Sequence, residues 1–220
     1  MSYLTRPMAV QAIKDMSAFH KDVRDLYKNY DMDLLSNLGR RNIIMSQTQE
    51  KFFASALQIS WPRACVDGRT GQPDITIPEL NTELECKLTS RNKSGAISFH
   101  TDFETLNQKK ELDYLYVIAD EDFKSFCALH FLNLTTADFN KVSNGSRGKV
   151  AMKKHQGMKK CNVLVGNAIC LNDGHISRLT DRLRLANSPS STQQLQKKIS
   201  YWKNTPARYS FELEKIFKTT

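Results

Sequence analysis

Cysteine is scarce and poorly placed for cross-linking: Cys65, Cys86, Cys127, Cys161 and Cys170 are odd in number, scattered, and never spaced as C-x-x-C. Neither a disulfide framework nor a zinc ribbon fits that usage, so reduced, mostly buried thiols are expected. The histidines, His20, His100, His130, His155 and His175, are equally dispersed and show no H-E-x-x-H spacing, which argues against a histidine-built metal site. No apolar run of signal-peptide length stands in "MSYLTRPMAV", and nowhere do about 18 uncharged apolar residues stand together. The expectation is a soluble, intracellular, cytoplasmic protein with no membrane partner. The sharpest shortage is of acid. Between Asp138 and Asp173 there is none, while Lys141, Arg147, Lys149, Lys153, Lys154, Lys159 and Lys160 all fall there.

What is present follows from that shortage. Of a net charge of +9, residues 1–138 contribute a deficit, with 16 Lys and Arg against 19 Asp and Glu; residues 139–211 hold 14 against 2. A positive field so concentrated attracts polyanions whatever their sequence, and points to nucleic acid. A solvated basic face is the plainer alternative, although such faces ordinarily interleave acids.

Hydrophobic periodicity places the elements. From Ala9, the residues Ala12, Ile13, Met16, Phe19, Val23, Leu26, Tyr27 and Tyr30 recur every three or four positions, predicting an amphipathic helix that ends near "NYDMD". After a loop "SNLGRRN", Ser46 with Gln49 three residues on reads as a capping box, predicting a second helix over about Gln47–Gln58. Glu50 lies on that helix at the edge of its apolar stripe, or simply favours the positive N-terminal end of the dipole. "DYLYVIAD" (113–120) and "FCALHFL" (126–132) read as buried strands, with "DFETLNQKK" before them as a helical crossover. An α/β three-layer arrangement follows, with a central sheet flanked by helices. "LANSPSSTQQLQ" (185–196) reads as a flexible connection to a last helix around Ser210–Lys218.

The stretch "QPDITIPELNTELECKL" (72–88) carries charge into two strands. Asp74 and Thr76 alternate with Ile75 and Ile77; Glu83, Glu85 and Lys87 alternate with Leu84, Cys86 and Leu88. With "PELN" as the loop, Ile77 pairs with Thr82, Asp74 falls across from Glu85, and Gln72 across from Lys87. Facing carboxylates repel and call for a proton or a cation between them. Paired carboxylates with a backbone carbonyl suit a hard ion such as Mg²⁺. A lysine on the same face can orient or help deprotonate a water and offset phosphate charge. Ordinary surface salt bridges on an exposed hairpin are the alternative.

Pro73-Asp74, ten intervening residues and Glu85-Cys86-Lys87, after a helix bearing Glu50, resemble the PD-(D/E)xK nuclease superfamily, in particular its type II restriction endonucleases. The resemblance covers 46–134 best. It implies a restriction-endonuclease-like core with a mixed central sheet, with Asp74, Glu85 and the Cys86 carbonyl holding Mg²⁺. It further implies that Lys87 assists the attacking water, and that Glu50 matches a less regular acidic residue of the preceding helix. One nuclease domain over 1–220 is expected, with a helical part (8–58), a catalytic core (59–134) and a basic DNA-binding part (139–211). In that last part Ser143, Asn144, Ser146, Arg147, Lys149, Lys153, Lys154, His155, Lys159 and Lys160 are the candidate contacts to double-stranded DNA, where glycines permit close approach and Arg or Lys can address guanine. The resulting expectation is a Mg²⁺-dependent, sequence-specific endonuclease of a prokaryotic restriction system, a homodimer if its target is palindromic. A structure-specific repair or junction nuclease of the same core, or a non-catalytic basic DNA-binding protein, are the alternatives.

Overall fold

The structure is a computed structural model. It describes residues 2–69, 72–90, 97–120, 122–143, 145–146, 148–170, 173–203, 210–212 and 214–215, excepting the side chains of 155, 167–170, 173–178 and those from 201 onward. Two long helices come first, α1 (Arg6–Lys28) and α2 (Leu38–Leu57). The strands β1 (Cys65–Val66), β2 (Ile75–Ile77), β3 (Thr82–Ser90) and β4 (His100–Asp102) follow, then α3 (Phe103–Lys109), β5 (Glu111–Ala119) and β6 (Ser125–Thr135). The basic third supplies β7 (Lys149–Ala151), α4 (Lys154–Gly157), β8 (Cys161–Val165), β9 (Asn167–Cys170), α5 (Asp173–Arg184), α6 (Pro189–Lys203), β10 (Ser210–Glu212) and β11 (Glu214–Lys215).

The central sheet is mixed and runs β1-β2-β3-β5-β6-β11, with β8 also on β6. β3 and β5 are parallel, and α3 lies in the connection between them; the other pairings are antiparallel. Each face of the sheet has its own core. Leu84, Cys86, Leu115, Val117 and Ala128 pack against α1 and α2 through Ala12, Ile13, Met45 and Phe53. Tyr114, Tyr116, Ile118, Leu129 and Phe131 pack on the other side against Phe99, Leu106, Val150 and Met152. β5 is buried on both faces, as its unbroken apolar run requires. Each large side chain so covered contributes about 1.5–3 kcal/mol, enough to hold the short strands beside it. The chain is thus α/β with a mixed central sheet between helix-bearing layers. Among the described residues no helix is long and apolar enough to cross a membrane.

Several expectations need correcting. The apolar stripe of α1 is buried only through Met16; Phe19, Leu26 and Tyr30 stand 39%, 55% and 69% exposed, because the helix runs past the sheet it covers. α2 begins at Leu38, nine residues before the predicted start, because Asn37 accepts the Arg40 N–H at 3.0 Å and supplies the cap. Ser46 is no cap: it lies inside the helix and its hydroxyl donates to the Ile43 carbonyl, while Gln49 is buried and donates to the Leu115 carbonyl on β5. The added turns bring in Arg41, which is fully buried. Residues 185–196 are not a free connection. They lead into α6, whose Leu195 and Ile199 pack on Leu179, Leu183 and Ala186. Ser210–Glu212 and Glu214–Lys215 are strands rather than the predicted last helix, and 213 and 216–218 lie outside the described residues.

Candidate active site

The hairpin has the register its pattern predicts. Ile75 stands opposite Leu84, Thr76 opposite Glu83 and Ile77 opposite Thr82. A 3-10 turn over Pro78–Leu80 ends on Asn81, whose φ of 48° is tolerated because Asn accepts the left-handed region more readily than most residues. Asp74 stands one residue before β2. Its carbonyl accepts the Asp67 N–H at 2.9 Å, and its Oδ2 accepts the backbone N–H of Cys86 at 2.7 Å. The ladder stops at Ile75, before Gln72 would face Lys87; the Gln72 amide oxygen accepts from Lys109, which also pairs with Glu83 at 2.8 Å.

This lead-in explains a proline. In the hairpin's register the residue facing Cys86 is Pro73, which has no N–H to donate to the Cys86 carbonyl. The N–H and C=O of a strand residue point toward the same neighbouring strand. The Cys86 N–H is held by Asp74, so its carbonyl is directed to the same side, where β2 has ended.

Glu85 and Lys87 do not lie on a solvent-exposed face. They stand beside Tyr114 and Tyr116 on β5, on the side of the sheet covered by the second core. Glu85 is buried and Lys87 half-buried, and the Lys87 ammonium is ion-paired to Glu85 Oε1. The simple exposed-hairpin alternative therefore does not describe this site. Glu50, half-buried on α2, is near enough for the charges of Asp74, Lys87 and Glu85 to bear on its ionisation.

The electrostatics show how crowded it is. Burial pushes the Glu50 carboxyl up to about 7; the charges of Asp74 and Glu85 add to this and Lys87 opposes it. Burial also raises Asp74, against the pull of Lys87 and the Cys86 N–H. Glu85 is raised by burial and by Asp74, again against Lys87. Although burial disfavours the Lys87 ammonium, the Glu85 and Asp74 carboxylates outweigh it and hold its pKa above the ordinary value. One ammonium, paired to Glu85, thus stands against three carboxylates.

A divalent cation would answer that excess of negative charge, and the donors are the hard oxygens that Mg²⁺ prefers. Among the described residues no three His, Cys, Asp or Glu side chains form a ready-made cage. The residues that fit are two carboxylates, Asp74 and Glu85, with the Cys86 carbonyl; an ion that keeps several waters needs no more than that.

The basic third is arranged less uniformly than its composition implies. Ser143, Lys149, Lys153 and Lys159 are exposed, and Ser146 and Lys154 half-buried. The Lys153 ammonium donates to the Ala137 carbonyl at 2.9 Å. Lys160 is turned inward, pairing with the buried Asp138 at 2.9 Å and donating to the Asn133 carbonyl. Despite burial, the Thr135 N–H and Lys160 hold Asp138 below the usual carboxylate range. This makes Lys160 a clamp between β6 and the turn before β8 rather than an outward cation. Asn144, Arg147 and the His155 side chain lie outside the described residues.

Two features of the neighbourhood escape sequence reading. Asp102 caps α3 by accepting the Thr105 N–H at 3.0 Å, and its charge adds to the upward shift of Glu85. Asp102 is also paired with Lys149 in a separate two-stranded ribbon, β4–β7, that sets His100 opposite Ala151. Three-residue strands leave too little alternation to find. No family model, curated protein or solved structure matches the chain.

Proposed function

We propose that the protein is a Mg²⁺-dependent, sequence-specific endonuclease of double-stranded DNA, built on a restriction-endonuclease-like core and acting as a homodimer on a palindromic site. The observation that carries this reading is the convergence of Asp74, Glu85, Lys87 and Glu50, from the lead-in to β2, from β3 and from α2, with Asp74 fixed by the Cys86 N–H. An acid-free basic segment in the same chain supports the substrate class.

Asp74, Glu85 and the Cys86 carbonyl would hold Mg²⁺, which supplies an acidified water and neutralises charge on the phosphate. Asp74 is positioned by the Cys86 N–H and cannot swing away without leaving that donor unpaired. Lys87, kept protonated by its carboxylate neighbours, orients the water through a donated hydrogen bond and stabilises the oxyanion that develops as the phosphodiester is attacked. In this protonated form it does not serve as the proton acceptor. Tyr114 and Tyr116 beside the pair exclude water from one flank and strengthen these interactions.

Incubation of the protein with long unmethylated DNA and Mg²⁺, followed by sequencing of the ends, tests the proposal. Discrete fragments sharing a terminal sequence are expected. Structure-dependent nicking would assign the same centre to repair or junction cleavage, and intact DNA would leave only a binding protein.

A further inference from the structure

The carboxylate cluster leaves the β4–β7 ribbon without a role, yet two cavities meet on it. One, of about 250 Å³, is lined by Lys87, Tyr116, Asp102, His100 and Lys149. The other, of about 490 Å³, continues from His100 and Lys149 to Lys141, Ser143 and Ser146. Together they present three lysines and a single acid, and one oxygen of that acid, Asp102, is engaged in capping α3. The contrast with a third cavity, of about 440 Å³, is instructive: it is lined by Glu83, Glu111 and Asp113 and by no lysine or arginine, so it repels a polyanion.

The ribbon fixes where these cations stand. Lys149 is the ladder partner of Asp102, which is close enough to Glu85 to bear on its ionisation. The turn before Lys149 is tight: its N–H donates to the Ser146 carbonyl at 3.0 Å and the Gly148 carbonyl accepts from Phe103 at 2.9 Å. Gly145 and Gly148 hold φ of 84° and 78°, which a side chain would strain. Ser146 Oγ is shielded from solvent, so at the second cavity the turn presents Lys141 and Lys149 rather than this hydroxyl. Burial and the charge of Lys149 lower the His100 pKa. The ring is then a neutral N–H donor that does not repel the lysine.

We infer that this groove holds the sugar–phosphate backbone of the strand that leaves the cleavage centre. Lys149 and His100 contact the phosphate next to the one attacked beside Lys87, and Lys141 contacts one further along. The inference rests on the nuclease reading for the identity of the centre, but not for the affinity of the groove. Contacts of this kind set the register of the duplex and carry no base information.

The test is the salt dependence of binding to a random-sequence duplex without divalent ions. Lys149→Ala should reduce the slope of log affinity against log salt by about 0.9, so that the wild-type advantage shrinks about 3.5-fold between about 50 and about 200 mM salt. Lys149→Arg should restore the slope. His100→Gln should weaken binding with the slope unchanged, since no charge is removed, and Lys14→Ala on the distant helix α1 should change neither quantity. An unchanged slope in Lys149→Ala, with melting temperature retained, overturns the groove, and so does an equal loss in Lys14→Ala. Binding with the expected slope change but no cleavage overturns the nuclease reading and keeps the groove. Specific cleavage with an unchanged slope does the reverse, and absence of any DNA binding overturns both.

Discussion

Neutralising either facing carboxylate should separate stability from activity. Asp74→Asn exchanges a charge-assisted acceptor of the Cys86 N–H for a neutral one; bonds of the first kind contribute about 1.5–3 kcal/mol and of the second about 0.5–1.5 kcal/mol, a loss near 1 kcal/mol. Against this stands relief of crowding. Glu50 and Glu85 are both pushed up in part by Asp74. Because Glu50 is half-buried and Lys87 already offsets part of the repulsion, the gain is discounted for solvent screening to about 1 kcal/mol. The two effects cancel to within about 1 kcal/mol, which for a chain of this size is a shift of about 2–4 °C in melting temperature. Glu85→Gln should lose cleavage alike but, because it also removes the ion-pair partner of Lys87, cost more stability than Asp74→Asn. Cleavage is a different matter, since removal of a metal ligand forfeits several kcal/mol of transition-state charge stabilisation, a loss of about 10³-fold or more. DNA affinity without metal should be kept or improved, with one negative charge fewer facing phosphate. Melting, Ca²⁺ titration, DNA binding and single-turnover cleavage on both variants decide the matter. Cleavage by Asp74→Asn near the wild-type rate would remove Asp74 from the metal site. Collapse of both folds would instead make the cluster a structural salt-bridge network.

Other predictions follow from buried polar groups. Arg41 lies over the Phe123 ring and donates to the Asp120 carbonyl at 2.8 Å and to Ser90 at 2.7 Å, so Arg41→Ala, which leaves those acceptors unpaired, should cost about 1–3 kcal/mol in urea unfolding. His20 and His130 are both lowered to about 4, by burial in each case and for His20 also by Arg41. Their unfolded forms take up protons near pH 6.5 and their folded forms only near 4, so the stability they contribute is lost as pH falls across that window. Replacing both with Gln should flatten the difference in stability between pH 6.5 and 4, whereas a variant as acid-sensitive as the parent would contradict this. Leu195→Ala, in the small cluster between α5 and α6, should remove about 2–3 kcal/mol locally. Hydrogen exchange should rise in those helices and leave β5 protected.

The hairpin was readable because two alternating runs and a four-residue turn fix a register, and β5 and β6 because their apolar runs are long. What was hidden has physical causes. Gly39 in "SNLGRRN" signals a loop, yet the Asn37 cap and the burial of Arg41 over Phe123 outweigh its propensity. α6 was missed because only Leu195 and Ile199 of its first turns are buried, too few for a periodic signal. The charged face of β3 was legible as charged but not as buried. Its neighbours on β5, Tyr114 and Tyr116, lie in a core shared with Phe99, Val150 and Met152, which short strands place there and no local pattern announces. The convergence of Glu50 with the hairpin was visible only as a placement at a helix edge. Asp102 and His100 could have been found only by pairing β4 with a strand some fifty residues away.

That distance also orders events during folding. Closing the hairpin that carries Asp74 and Glu85 ties off only the four residues 78–81, whereas the ribbon of His100 and Lys149 must close over residues 103–148. The extra loop entropy is roughly 2 kcal/mol, and the ribbon has three residue pairs with which to offset it. The acidic pair therefore assembles early together with Lys87 on the same strand, before Lys149 is brought beside it. The ribbon forms after the hairpin and, by the same reasoning, opens before it in the native protein. A nascent chain released before residue 149 would carry Asp74, Glu85 and Lys87 without the ribbon that sets Lys149 beside them.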